Sequence, residues 1–166
     1  METYLDRILT NIQHEKASTA IRVDREVYIL EEEIILLNIN QIERHEGSDN
    51  QPLVNENPTF TGFYQPYTVS VSITGRAPKT PPSITKKNVG QPYNFVWRGD
   101  FFNGFVLEKQ GKNFKIYSTG EGEDKKKEFF DGYKNLYGLN IHNENDVFNE
   151  ITNKVLETQL KSIYNC

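Results

Sequence analysis

"VWRGDFFNGF" (Val96–Phe105) crowds four aromatic rings and two glycines around one Arg-Gly-Asp triplet. An adhesion motif would need a long exposed loop here, yet both flanks read as strands. "YNFVW" (Tyr93–Trp97) precedes the triplet and "GFVLEKQ" (Gly104–Gln110) follows it, both rich in aromatic and β-branched residues. The triplet is then a corner between two strands. Gly99 permits the tight bend, and Asp100 accepts backbone N–H groups there. Trp97, Arg98, Phe101, Phe102 and Phe105 complete the corner, with the phenylalanines anchoring it.

Further along, "NFKIYST" (Asn113–Thr119) predicts another strand, joined to Gly104–Gln110 by the Gly-containing connection Gln110-Gly111-Lys112-Asn113. Phe105 and Leu107 match Phe114 and Ile116 across this hairpin. Upstream, "TVSVSITG" (Thr68–Gly75) alternates Val69, Val71 and Ile73 with Ser70, Ser72 and Thr74. That period predicts a half-buried strand, or an extended arm that pairs with something. "RAPKTPPSITKKNVGQP" (Arg76–Pro92) holds four of the seven prolines and no acid, and reads as a long loop or arm.

Helical periods occupy both ends. Leu5, Ile8, Leu9 and Ile12 predict a helix over 3–14. Val23, Val27, Leu30, Ile34 and Leu37 predict a second over 24–37, with Asp24 as its N-cap and Glu31-Glu32-Glu33 on its solvated face. "EGSDNQPLVNENP" (Glu46–Pro58) reads as a loop. Phe129, Phe130, Tyr133, Leu136 and Tyr137 predict a helix over 125–137, stopped by Gly138 in a left-handed C-cap with Leu139 making the apolar contact. Phe148, Ile151, Val155 and Ile163 predict a last helix over 145–164, with Leu156 and Leu160 widening its apolar stripe.

The expected fold is a single α+β domain over 1–166. A small, mostly antiparallel sheet of three to four strands, with a hairpin near 104–119, is flanked by N-terminal helices and two C-terminal helices. A long extended arm lies near 75–92. Residues 1–45 form the helical part, 46–92 loops and arm with one strand, and 93–166 the sheet plus two helices.

Composition narrows the function. The chain has 166 residues, 36% apolar and 25% charged, and no apolar run of membrane-spanning length. The start METYLDRILTNIQHE lacks the pattern of a signal peptide, so synthesis in a cytoplasm is expected. Its one cysteine, Cys166, excludes an intrachain disulfide and a cysteine-based metal site. The net charge of −4 is uneven: −7 over residues 1–56, +5 over 57–99 and −2 over 100–166. The basic stretch carries Arg76, Lys79, Lys86, Lys87 and Arg98 and no acid, and the first four are a candidate basic interface for an acidic partner or DNA. The bland alternative is that it neutralises the acidic first third of the same fold.

Catalytic constellations fail on residue supply. His14, His45 and His142 lie far apart without metal-ligand spacing. HExxH, GxSxG and a cysteine nucleophile are absent. "STGEGEDKK" (Ser118–Lys126) lacks the spacing of a phosphate loop, and its glutamates repel phosphate. Glu121, Glu123 and Asp124 read as solvated loop acids. No enzyme, metal or cofactor is expected.

The order of the pieces resembles a family. "EGSDNQP" (Glu46–Pro52), "YQPYT" (Tyr64–Thr68), "WRGDFFNGF" (Trp97–Phe105), "KIYST" (Lys115–Thr119) and "LYGLN" (Leu136–Asn140) follow one another as in tailed-phage head-to-tail joining and tail-completion proteins. The likeness is greatest to those of phages infecting Bacteroidetes, and it covers about residues 40–166. The proline-containing arm after Ile73 departs from the plainer Lys-rich stretch of the family. The resemblance implies a non-enzymatic virion component, a homo-oligomeric ring or adaptor subunit at the portal–tail junction. It would touch the portal and other neck or tail proteins, could reach exiting DNA, and would meet no membrane. A small module binding a host protein or single-stranded nucleic acid is the alternative, and a hydrolase using loop carboxylates a more distant one.

Overall fold

A computed structural model describes residues 4–76, 80–121 and 124–164, with side chains over 7–76, 80–120 and 128–164. The chain divides into two compact units, one of residues 1–34 and 142–166, the other of residues 35–141.

The first unit is helical. α1 spans Tyr4–Ile29, and after Leu30 the chain re-enters helix as α2 (Glu31–Glu43). Amide bonds from Leu30 to Glu26 O (3.0 Å) and Ile34 to Leu30 O (2.9 Å) carry the pattern through the junction. Where the sequence predicts two helices separated by a break at 15–23, one helix runs through. Asp24 is therefore interior rather than an N-cap. The bridging turns are held by Glu15, which is 3% exposed. Arg22 Nη2 donates to its carboxylate at 2.7 Å, while Ser18 and Thr19 hydroxyls donate to its main-chain oxygen. A hydrogen bond from Ser162, then the Arg22 guanidinium, hold the Glu15 carboxyl below the usual range against its desolvation. α6 (Ile141–Tyr164) packs on α1, with Gln159 Nε2 donating to Thr19 Oγ1 at 2.7 Å. Val27, Leu30, Ile34, Ile151 and Val155 form the buried seam.

The second unit carries the sheet, and the sheet has two strands rather than three to four. β1 (Phe105–Gln110) pairs antiparallel with β2 (Asn113–Ser118), with Leu107 opposite Ile116 and Gln110 opposite Asn113. Both further predicted strands are something else. Residues 66–74 form helix α3 (Pro66–Thr74). Pro66 starts it with φ preset for a helix, and the Ser72 and Thr74 hydroxyls back-bond to Val69 O (2.7 Å) and Ser70 O (3.1 Å). Its alternation reads out no apolar face, since Ile73 is 68% exposed and Ser72 is its one buried residue. Residues 93–97 are irregular. Phe95 sits at φ +57, a left-handed conformation that breaks a ladder. What holds it there is its ring, packed among Phe101, Phe129, Phe130 and Tyr133.

The predicted helix over 125–137 also shortens, to α5 (Asp124–Asp131). Gly138 (φ +107) is then a turn residue well beyond that helix, not its stop, and Leu139 is half-buried beside it. The turn over 132–140 is held from α2. Asn38 Nδ2 and Gln41 Nε2 donate to Gly138 O at 2.9 and 3.1 Å, and Asn140 N donates to Gln41 Oε1 at 2.8 Å. Asn38 and Gln41 are fully buried, so these bonds replace water that cannot reach them.

Candidate functional site

The corner residues gather beside a cavity in the second unit. Gly99 adopts the left-handed conformation (φ +89) that its lack of Cβ allows, and it turns the chain into a single helical turn, α4 (Asp100–Asn103). The corner thus joins an irregular segment to a strand, not two strands. The bond expected of Asp100 comes from its main chain: its carbonyl accepts Gly104 N at 3.0 Å. Ser118 Oγ donates to Phe101 O at 2.6 Å, and Thr119 N to Gly104 O at 2.8 Å. A side chain at position 120 would stand 1.9 Å from Asp100 O, so the corner and the turn after β2 touch through backbone. Phe101 (4% exposed) stacks on Phe130 at 4.4 Å and 8°, with Phe105 edge-on at 5.1 Å. Phe102 is half-buried against Phe101 and Phe105.

The cavity has a volume of about 510 Å³. Phe60, Tyr64, Tyr93, Phe95 and Trp97 wall one part, and Phe101, Phe129 and Phe130 another. Trp97 Nε1 donates to Pro81 O at 2.9 Å and Tyr64 OH to Asn94 Oδ1 at 2.7 Å, so their polar tips are spent on the protein and the rings are left to the cavity. Arg98 and Asp100 line it as exposed residues, and neither has a side-chain bond to another described residue. An apolar interior with a few polar groups is the usual build of a recognition pocket.

Behind Tyr64 lies Lys87, 1% exposed. Its ammonium donates to Thr85 Oγ1 (2.5 Å), Asn94 Oδ1 (2.6 Å) and Val96 O, and stands 5.2 Å from the Tyr64 ring centroid. Burial pulls its pKa down to about 8. Burial pushes the Tyr64 and Tyr133 hydroxyls up to about 12. Lys87 therefore leaves the candidate basic interface: it is an internal tie between residues 85–87 and 94–96. Arg76 and Lys86 are exposed, and Lys79 lies outside the described residues. The predicted arm folds back on its own unit, with Ser83 N bonded to Ser72 O and Ile84 N to Trp97 O, each at 2.8 Å.

The cavity and the Lys87 tie were not legible as sites, because both assemble irregular segments that carry no periodic signal. The density of aromatic residues over 93–130 was the one available pointer. Among the described residues, no three His, Cys, Asp or Glu side chains gather as a metal site, and no helix is long and apolar enough to cross a membrane. Glu123 lies outside the described residues, as do the side chains of Glu121 and Asp124. No family model, curated protein or solved structure matches this chain.

Proposed function

We infer that this chain is a non-enzymatic structural subunit of a tailed-phage particle, a ring or adaptor at the portal–tail junction, made in the host cytoplasm and carried in the virion. The observation that carries the reading is the apolar surface of α6. Its one side supplies Ile151 and Val155 to the core of its own unit. Elsewhere it exposes Phe148 (65%), Leu156 (49%), Leu160 (53%) and Tyr164 (64%). These fall at multiples of four residues and form one ridge, the element by which helices pack into partners. Exposed apolar surface of this extent suits protein–protein contact rather than catalysis. The ordered resemblance over residues 40–166 supplies the setting, and repetition around a tail axis requires a contact that closes into a ring.

An early stop codon in the gene is the test. Lysates grown without suppression should hold DNA-filled heads and separate tails. Joined, infectious particles in those lysates would contradict the reading.

A further inference from the structure

We propose that the aromatic cavity receives the Phe148 ring of a second copy of the chain, making a head-to-tail contact in which one copy supplies the knob and the next the hole. The inference rests on the subunit reading above and names the partner its cavity takes.

Three observations converge. The first is chemical fit. The cavity walls are mostly ring faces, phenylalanines without a polar tip and Trp97 and Tyr64 with theirs already bonded, so the matching group is an apolar ring. Phe148 is the most exposed aromatic side chain described, at 65%, and it makes no ring contact among the described residues of its own chain. The volume of about 510 Å³ exceeds the ~150 Å³ that accommodates a benzene, leaving room for a neighbouring apolar side chain beside the ring.

The second is charge. Residues 1–34 and 142–166 hold 12 acids and 6 bases, a net −6. On the helix face of Phe148 stands Glu144, four residues before it, and the first Lys or Arg on α6 is Lys154, which pairs with Glu150. Among the fifteen cavity residues two are charged, Arg98 and Asp100, and the other thirteen carry no charge. Arg98, exposed and unpaired among the described residues, meets Glu144 beside the knob, while Asn145, three residues before Phe148, brings an amide for Asp100. Complementary fields of this kind set register and speed encounter.

The third is topology. Phe148 belongs to one unit of the chain and the cavity to the other; in the proposed head-to-tail pairing each copy keeps its second half of the contact free, and such contacts propagate until a rotation closes them. A large aromatic in a desolvated pocket is the usual hot spot of an interface.

The experiment uses the full chain and sedimentation velocity. Phe148→Lys spoils the knob, and Thr68→Trp fills the hole from the cavity wall. Circular dichroism confirms that each is folded, and Arg98→Glu, an exposed change that leaves the aromatic wall intact, is a third variant. Phe148→Lys and Thr68→Trp should each weaken association at least about thirty-fold, the loss expected of a hot-spot aromatic or its pocket, and Arg98→Glu should weaken it less and in a salt-dependent way, as a rim charge does. A one-to-one mixture of Phe148→Lys with Thr68→Trp keeps one sound contact and should sediment as a dimer. If that mixture stays monomeric, or if Thr68→Trp and Arg98→Glu associate as tightly as the wild type, the cavity takes another occupant and the proposal falls, while the ring reading stands. A wild type that remains monomeric into the millimolar range at low salt overturns both.

Discussion

Phe101→Ala should lower the stability of the second unit by about 3–5 kcal/mol, the range for removing a buried aromatic side chain. Phe101 is 4% exposed and joins the corner to α5 and β1 at once, through Phe130 at 4.4 Å and Phe105 at 5.1 Å. Its loss would enlarge the cavity it already lines, and the backbone contact between Gly120 and Asp100 prevents the corner from sliding in to fill the space. Urea titration followed by fluorescence of Trp97, the single tryptophan, reports this unit directly. Phe102→Ala, at a half-buried ring beside it, should cost markedly less. Equal midpoints for Phe101→Ala and the wild type would mean that the corner is not a keystone.

Stability should rise by about 2 kcal/mol from pH 7.5 to pH 10, and Lys87→Met should remove that rise. Lys87 has a folded pKa of about 8 against 10.5 unfolded. Between these values the unfolded chain binds more protons than the folded one, so raising the pH favours the fold. Each pH unit crossed inside that window adds about 1.36 kcal/mol at most, with less at its two edges. Below pH 8 the ammonium is charged in both states, and its burial is then a standing cost. Above pH 10, Tyr64 and Tyr133 also hold protons that the unfolded chain releases, because unfolded tyrosines ionise at 10 and these at about 12. They therefore act in the opposite sense. The comparison with Lys87→Met isolates the lysine. Parallel pH profiles for the two proteins would show that the ammonium is not held as the geometry indicates.

Local periodicity carried part of this fold. The stripe through Val27, Leu30 and Ile34 and the hairpin with Leu107 opposite Ile116 were readable because each residue's neighbours lie nearby in sequence. α3 was not readable: strand propensity is a statement about a pleated, half-buried surface, and no described strand lies beside 66–74 to supply one. The break expected between two N-terminal helices disappears because Glu15, a residue usually solvated, is buried and paired with Arg22 within α1. Lys87 is the sharpest case. Beside Lys86 in a proline-containing basic stretch it reads as surface charge, yet its three acceptors arrive from residues 85, 94 and 96. The corner was legible as a corner through Gly99 and its phenylalanines. Its use as the wall of a cavity was not, since Phe60, Tyr64 and Phe129 come from distant segments.

The measurement that tests the central claim most directly is quantitative mass spectrometry of purified phage particles. A structural subunit of the portal–tail junction should be present at a fixed, low ratio to the major capsid protein, unchanged through a second density gradient. Its complete absence from infectious particles would contradict the account.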